Sequence, residues 1–173
     1  YNKLIISFDL DKINFNEVKE IVENLEIDVS KKENNKKIEI PICCEEGLSL
    51  DFKRLNKLTN KSKSEILDCF FNKEYFCYMT GFVAGMPFLG DVDEEIRCER
   101  LETPRVKVPS GSVGLTEQFA NIYTSESPGG WNIIGNTPVD LFNKSNENSP
   151  SLINPGDKIK FYLITKEQYD NWK

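Results

Sequence analysis

Residues 103–115, TPRVKVPSGSVGL, carry the pattern that decides the expected fold. Two short β-prone runs, at 106–109 and 112–115, flank a turn of Pro109, Ser110 and Gly111. Proline fixes its own φ and glycine permits φ values closed to other residues, so these residues form turns between strands. The same pattern continues through further β-prone runs at 81–87, 121–124, 131–134 and 157–164. Many short strands joined by such turns predict a small β-barrel or sandwich.

The first third of the chain has a different, mixed pattern. An apolar run at residues 4–8 predicts a strand. Asn14 and Glu17 form a capping pair at the start of a helix whose apolar residues recur every three or four positions. Isoleucines that alternate with other residues at 38–42 predict a second strand, which Pro41 favours at a sheet edge.

Two helices are expected next, the second of them capped by Ser62 and Glu65. A buried strand at residues 75–79 then leads into the β-rich part, and a short helix follows Thr165. We therefore predict an α+β fold, with a small β-α-β-α domain at residues 1–74 and a β-barrel domain at residues 75–173.

Composition excludes several classes of function. The 173 residues include 22 Lys and Arg against 28 Asp and Glu, a formal net charge of −6, so the long-range field repels nucleic acid. Histidine is absent, which excludes a Ser-His-Asp triad, a Cys-His dyad and any His-ligated metal. An acid–base step must therefore use carboxylates, thiols or lysines. No stretch approaches the roughly 20 apolar residues of a membrane span, so no membrane association is expected.

The cysteines indicate reduced thiols in a cytoplasmic protein. Their odd number and lack of a regular framework do not suit a disulfide scaffold. No C-x-x-C pair exists, and the adjacent Cys43 and Cys44 suit chelation poorly, so no metal site is expected. Cys77 lies among aromatic residues, as a small core residue would. Cys69 is roughly 130° from the apolar arc of its helix and so faces outward or sideways.

Three glycine-bearing segments are candidates for ligand contact: residues 81–90 (GFVAGMPFLG), 103–114 and 127–138 (SPGGWNIIGNTP). None is a Walker loop or a G-x-G-x-x-G fingerprint. Glycines let backbone N–H groups turn toward a ligand, and Arg100 and Arg105 suit a carboxylate or phosphate. The alternative is that the glycines only shape turns, that the arginines pair with Glu99 or Glu102, and that Trp131 is core rather than pocket wall.

A run of acidic residues offers one more alternative for a ligand site. It could bind a divalent cation through oxygen or form a solvated loop, and it consists of Asp91, Asp93, Glu94 and Glu95.

In their order along the chain, the segments resemble the allophanate hydrolase subunit 1 family. The family pattern runs G-F-x-P-G-F-P-Y-L-G, T-P-R-x-R-V-P-A-G-S-V-G, S-P-G-G-W-x-x-I-G-R-T-P, L-F-D and P-G-D-x-V-x-F. This chain has the first three blocks as quoted above, then LFN at 141–143 and PGDKIKF at 155–161. The resemblance covers residues 75–164. The family includes a subunit of bacterial 5-oxoprolinase and KipI-type inhibitors of sporulation histidine kinases.

The resemblance implies a fold, an activity and partners. The fold is an α/β N-terminal domain followed by a cyclophilin-like β-barrel. The activity is the ATP-dependent opening of 5-oxoproline to glutamate, with ATP bound only in the assembled complex. The partners are an allophanate hydrolase subunit 2-like protein and a lactam-utilisation-type subunit. The alternative is a regulatory protein that inhibits a histidine kinase through an apolar patch near Met86 and Phe88. A prolyl isomerase, suggested by the fold alone, is the weakest candidate.

The resemblance also assigns the site residues. Catalytic roles are expected for Cys69, Arg105 and Ser112. The turn at 111–114 is expected to offer N–H groups to an oxyanion or phosphate, and Arg105→Ala is expected to abolish turnover at a nearly unchanged melting temperature. Substrate or anion contacts are expected for Gly81, Phe82, Gly85, Pro87, Arg100, Gly111, Gly114, Tyr123, Ser127, Gly129, Gly130, Trp131 and Thr137.

Four departures from the family pattern fall where chemistry is expected. Cys69 stands at a histidine position, and it can move a proton only if its pKa is depressed. Ala84 replaces a proline, and Asn136 replaces the arginine of I-G-R-T-P. Residues 119–123, FANIY, replace Q-T-G-I-Y and so lose an amide and a hydroxyl.

Overall fold

A computed structural model of the chain describes residues 3, 5–26 and 35–172. These residues form two compact units, one within Tyr1–Asn34 and one within Asn35–Lys173. The domain boundary predicted between residues 74 and 75 falls within the second unit, and the two-domain division at that point stays a prediction.

The first unit contains the helix α1 (Phe15–Glu23). The Asn14 side chain accepts hydrogen bonds from the backbone N–H groups of Asn16 and Glu17, at 2.9 and 3.1 Å, and the Glu17 carboxylate accepts the N–H of Asn14 at 2.9 Å. The predicted capping pair is confirmed. The predicted strand at 4–8 is wrong for residues 5–8, and residue 4 lies outside the described residues. A strand needs a neighbour for its backbone hydrogen bonds, and the described part of this unit holds no other strand.

The second unit is a mixed α/β structure with few helices. Its elements, in chain order, are β1 (Lys37–Ile42), α2 (Phe52–Thr59), α3 (Lys63–Phe71), β2 (Glu74–Thr80), β3 (Pro87–Gly90), a 3₁₀ turn (Glu94–Ile96), β4 (Arg105–Val108), β5 (Ser112–Thr116), β6 (Phe119–Ile122), β7 (Ser127–Gly129), β8 (Asn132–Asn136), β9 (Lys158–Leu163) and α4 (Lys166–Asp170).

Seven of these strands form one sheet in the order β1-β9-β2-β3-β6-β5-β8, and β4 pairs with β7 separately. β1 runs parallel to β9, and the other neighbouring strands are antiparallel. The sheet curls until its last strand returns to its first: Cys43, just after β1, and Asn136 in β8 exchange two backbone hydrogen bonds of 2.9 and 3.0 Å. The prediction of a mixed fold with a curled, barrel-like sheet is confirmed at this level.

The main core lies between the concave side of this sheet and the helices α2 and α3. Phe70 of α3 packs against Tyr75 and Phe161, with ring centroids 5.2 and 4.9 Å apart. The predicted cap of α3 is confirmed, because Ser62 and Glu65 bond to each other's backbone N–H groups. β2 is buried on one face only: Tyr75 and Cys77 are in the core, whereas Phe76 and Tyr78 lie on its outer face.

Strand alternation then determines where a ligand could lie. On β6, Ala120 and Ile122 point into the main core, so Phe119, Asn121 and the following Tyr123 point to the opposite face. A second, smaller apolar cluster lies on that side, and it consists of Met86, Val108, Tyr123 and Ile133.

Candidate functional site

A cleft of about 290 Å³ opens on the face of β3, β5 and β6 that points away from the main core. Five of its eleven lining residues are aromatic, and the others include one cation, one carboxylate and one threonine. The lining residues are Phe82, Met86, Phe88, Arg100, Thr116, Glu117, Phe119, Tyr123, Pro128, Gly129 and Trp131.

The aromatic walls are held by edge-to-face contacts. The ring centroid of Phe88 is 5.6 Å from that of Trp131 and 6.4 Å from that of Phe119, both in T-shaped arrangements. Trp131 is therefore a pocket wall, one of the two roles that its sequence context allowed. Phe82 stands at the mouth with a side chain 70% exposed and a φ of +72°, a backbone region that aromatic residues rarely adopt.

Arg100 supplies the positive charge of the cleft. Within the described chain its guanidinium forms no ion pair with a carboxylate and donates no hydrogen bond. Glu99, its expected partner, lies 3.6 Å from Arg54, whose guanidinium also donates to the Arg100 carbonyl at 3.1 Å. The Arg100 guanidinium lies beside Gly130, where a Cβ would be in ordinary van der Waals contact with Nε and Nη2, at 3.5 Å.

Arg105 has a different environment. Its Nη2 is 2.6 Å from Oδ1 of Asp51, whose residue is only 5% exposed, and its Nη1 lies 3.5 Å from the carbonyl of Trp131. Oδ2 of Asp51 accepts the N–H of Ile133 at 2.6 Å. The expected partners Glu99 and Glu102 are therefore wrong for Arg105, because a carboxylate from before α2 binds it. Arg105 is not among the residues that line the cleft.

Asp51 is the residue that sequence reasoning missed. It lies 54 positions before Arg105 along the chain. Its only sequence signal is an acidic residue just before a helix, which is typical of an N-cap. In the structure its side chain makes no capping hydrogen bond and instead joins α2 to β4 and β8.

The turn at residues 111–114 does not offer free N–H groups at its start. The N–H of Gly111 donates to the carbonyl of Tyr123 at 2.7 Å, and the N–H of Ser112 donates to the carbonyl of Pro109 at 3.3 Å. Because these two donors already have partners, the expected role of this turn in binding an oxyanion or a phosphate is wrong for them. Gly111 has a φ of +79°, and a Cβ there would collide with the carbonyl of Thr137.

Ser112 and Thr137 belong to a buried polar cluster around Asn136. The Asn136 amide donates to the carbonyl of Ser110 at 2.9 Å and lies 3.5 Å from Oγ of Ser112, while its Oδ1 accepts the hydroxyl of Tyr169 at 2.8 Å. The position expected to hold an arginine therefore ties β8 to α4. Neither Ser112 nor Thr137 lines the cleft.

Cys69 also lies outside the cleft lining. It is partly buried at the edge of the main core, as its position on the helical wheel predicts. Burial raises the pKa of its thiol, Asp93 raises it further, and Lys61 acts in the opposite direction. The depressed pKa that proton transfer would need is not found, and a catalytic role for Cys69 stays a prediction.

The segment 81–87 shapes one end of the cleft. The N–H of Gly81 donates to the carbonyl of Met86 at 3.0 Å, Gly85 has a φ of +72° beside Phe142, and Pro87 begins β3. Met86 is only 2% exposed, so it does not itself contribute to the expected exposed patch near Met86 and Phe88, and the patch stays a prediction. The chain turns Met86 inward and leaves Phe82 outside.

Two buried polar side chains outside the cleft lining, those of Asn121 and Ser127, have unpaired atoms. Asn121 is fully buried, and neither Oδ1 nor Nδ2 of its side chain has a hydrogen-bond partner. Burial raises the pKa of the Tyr123 hydroxyl. The nearby Asn121 side chain, which makes no hydrogen bond, lowers this pKa, and the Trp131 backbone and the two arginines lower it as well. Ser127 Oγ is also buried without a partner. The amide expected to be lost at position 119 is thus present two residues later, on the same face of β6.

The cleft does not fit ATP. A triphosphate needs several cationic or backbone N–H donors, and this cleft presents Arg100 alone beside the carboxylate of Glu117. Among residues 3, 5–26 and 35–172, no group of three or more Cys, Asp or Glu side chains could hold a metal ion. Within the same residues, every helix is too short or too polar to cross a bilayer.

Comparison with known proteins gives consistent matches. Residues 1–153 match the family described as "Carboxyltransferase domain, subdomain C and D". The chain is 37% identical to a 5-oxoprolinase subunit of Bacillus subtilis (strain 168) over 154 residues, which are 89% of this chain and 61% of that protein. It is 38% identical to the corresponding 5-oxoprolinase subunit of Haemophilus influenzae over 126 residues, which are 73% of this chain and 59% of that protein. The chain thus spans about 60% of the length of these curated relatives.

The solved structures agree. The fold is similar to the crystal structure of the conserved uncharacterized protein PH0987 from Pyrococcus horikoshii, with a TM-score of 0.74 and 33% sequence identity. The match covers 94% of this chain and 74% of that chain. The resemblance that the five motif blocks predict is therefore confirmed.

Proposed function

Because the chain belongs to the carboxyltransferase domain family, subdomain C and D, we propose that it is one subunit of an ATP-dependent amide hydrolase complex of the 5-oxoprolinase type. The observation that carries the proposal is the 37% identity to the 5-oxoprolinase subunit of Bacillus subtilis along 89% of this chain. In this reaction water adds across the C–N bond of the lactam to give glutamate, while ATP is hydrolysed to ADP and phosphate.

The chemistry of the cleft supports a role in binding the small substrate. A carboxylate forms short, strong hydrogen bonds with a guanidinium, and Arg100 has no internal partner among the described residues. The aromatic side chains around it suit the apolar face of a small ring. Because this cleft does not fit ATP, we place ATP on other subunits or between subunits.

The remaining parts of the proposal concern the assembly. Its partners would be an allophanate hydrolase subunit 2-like protein and a lactam-utilisation-type subunit, and the sheet would be the cyclophilin-like barrel of the family. The five free thiols support a cytoplasmic location. Arg105 holds Asp51 and the Trp131 carbonyl in place, so we assign it a positioning role in the complex.

The test is 5-oxoproline-dependent ATP hydrolysis by the chain combined with the two partner subunits. Turnover should need all three proteins and should fall at least tenfold in the Arg100→Ala variant, because about 1.4 kcal/mol of lost binding already gives that factor. Lys107→Ala, which removes an exposed cation paired with Glu126, is the matched control and should keep full turnover. Absence of turnover, together with nanomolar binding to a sensor histidine kinase, would favour the inhibitor function instead.

A further inference from the structure

We infer that Glu117 determines which anions the cleft accepts, because its carboxylate excludes a ligand that carries a second negative charge. The inference rests on the proposed function for one element, a ligand carboxylate that pairs with Arg100. What is known of Glu117 itself is separate and comes from its backbone conformation, its lack of partners and its place in the cleft.

The backbone of Glu117 has an unfavourable conformation. Its φ is +46°, in the left-handed region where a Cβ crowds the backbone. Glu117 is the first residue of the two-residue loop between β5 and β6, a position that glycine usually occupies when its φ is positive. Its N–H donates to the carbonyl of Cys98, which helps to hold this conformation. The turn alone therefore favours glycine, and the glutamate side chain needs another reason.

Unfavourable backbone angles are concentrated at the cleft. Among the non-glycine residues that the structure describes, three have a positive φ: Asn60, Phe82 and Glu117. Phe82 and Glu117 both line the cleft. Asn60 ends α2 outside the cleft lining, and asparagine tolerates this conformation well. Residues held in unfavourable conformations cluster at functional sites, so the location of Glu117 points to a role of its side chain in the cleft.

The Glu117 side chain does not stabilise the fold through a polar contact. It is exposed, and within the described ranges its carboxylate accepts no hydrogen bond and forms no ion pair. Arg100 lines the same cleft, but the two charges are not paired with each other. In the described chain the cleft therefore presents one unpaired cation and one unpaired carboxylate.

These two charges select ligands by their charge. A ligand carboxylate on Arg100 neutralises the guanidinium, and the charge that remains in the cleft is that of Glu117. In a cleft of about 290 Å³, a second carboxylate on the same ligand is confined together with Glu117. The aromatic walls lower the local dielectric constant and so strengthen the repulsion between the two carboxylates. A neutral group in the same place meets no such repulsion.

The experiment measures binding to the full chain by NMR, without ATP or partner subunits. The probes are cis-cyclopentane-1,3-dicarboxylate and its monoamide, which have nearly the same size and shape and differ by one negative charge. The indole N–H signal of Trp131 reports on the cleft, and that of Trp172, the other tryptophan, is the internal control. We expect the monoamide to shift the Trp131 signal alone, with a dissociation constant at least about tenfold below that of the dicarboxylate.

Variants of Glu117 separate the effect of its charge from that of its backbone. Glu117→Gln keeps the shape and removes the charge, so it should tighten dicarboxylate binding and bring the two dissociation constants within about threefold of each other. Glu117→Gly should lose the discrimination in the same way and keep or raise the melting temperature, because glycine adopts a positive φ freely.

Two control variants lie outside the cleft lining. Glu94→Gln removes one negative charge from a side chain that is 86% exposed, and Asn60→Gly introduces glycine at another positive φ. Both should keep the discrimination between the two probes at the value of the unaltered chain.

Three outcomes overturn the inference. They are no shift of Trp131 with the monoamide, equal binding of the two probes to the unaltered chain, or a discrimination that Glu117→Gln leaves unchanged. The comparison of the two probes uses the unaltered chain, so equal binding overturns the inference even if a variant does not fold. ATP turnover without this discrimination removes the inference and leaves the proposed function, whereas the discrimination without turnover does the reverse.

Discussion

The ion pair of Arg105 with Asp51 gives the sharpest prediction, that Arg105→Ala lowers the melting temperature substantially. The motif alone leads to the opposite expectation, a loss of turnover at nearly unchanged stability. Nη2 of Arg105 is 2.6 Å from Oδ1 of Asp51, and the side chains are 27% and 6% exposed. Truncating the arginine would leave a buried carboxylate whose remaining contact is the N–H of Ile133, at 2.6 Å from Oδ2.

The magnitude follows from this burial. Removing one partner of a fully buried pair costs about 3–5 kcal/mol, and the partial exposure of Arg105 places the change near the lower end, at about 3 kcal/mol. In a chain of 173 residues each kcal/mol shifts the melting temperature by about 2–4 °C, so we expect a decrease of about 6–12 °C. In a double-mutant cycle, Asp51→Ala with Arg105→Ala should cost about 1–2 kcal/mol less than the sum of the single changes.

The assay is thermal unfolding of the single and double variants, with urea unfolding to obtain free energies. Lys107→Ala is the matched control: Lys107 lies in the same strand and is 2.8 Å from the Glu126 carboxylate, but both side chains are exposed, so its melting temperature should hardly change. A decrease for Arg105→Ala as small as that for Lys107→Ala, or additive single changes in the cycle, would refute the reasoning.

Three further predictions concern thiols, glycines and the polar cluster. Burial raises the pKa of Cys98 to about 11 and that of Cys44 to about 12, so these thiols ionise first in the unfolded chain. The free energy of unfolding should therefore fall as pH rises above 9.0, the ordinary thiol pKa. Urea unfolding at increasing pH should show this decrease, and the decrease should be less steep in Cys98→Ala. Gly135→Ala should cost about 1–3 kcal/mol, because its Cβ would lie 2.6 Å from Ile42 and 2.7 Å from the Cys43 carbonyl, whereas Gly130→Ala should fold normally in the same unfolding assay. Asn136→Arg should lower the melting temperature, because it overfills a site 4% exposed and breaks the bond to Tyr169; a stabilised variant would contradict this.

Local interactions account for most of what the sequence predicts correctly. The capping pairs Asn14–Glu17 and Ser62–Glu65 join residues three positions apart, so the chemistry of a short segment decides them. The alternation that buries Ile159 and Phe161 in β9 is equally local. The apolar run at 4–8 is also a local signal for a strand, but no strand lies beside residues 5–8 in the described part of its unit.

Interactions between distant segments account for what the sequence does not predict. β1 pairs in parallel with β9, from the other end of the unit, and Arg105 pairs with Asp51 across 54 positions. The sequence pattern of a strand does not indicate which strand it pairs with. Along the chain, Glu99 and Glu102 are also much closer to Arg105 than Asp51 is. Packing of α2 against β8 decides the outcome, since it brings Asp51 to Ile133 and leaves Glu99 to Arg54.

The glycines of the motifs explain why a candidate site could be found but not resolved from the sequence. Gly111 adopts a positive φ and packs against the carbonyl of Thr137, so the fold requires a glycine there whatever the protein binds. A Cβ on Gly130 would lie 3.5 Å from the Arg100 guanidinium, which is an ordinary van der Waals contact, with no closer neighbour, so the fold would tolerate a Cβ there. Both glycines occur in motif blocks of the same kind, and both permit tight turns. Only the backbone angle and the atoms around each missing Cβ separate the glycine that the turn requires from the glycine that the fold does not require.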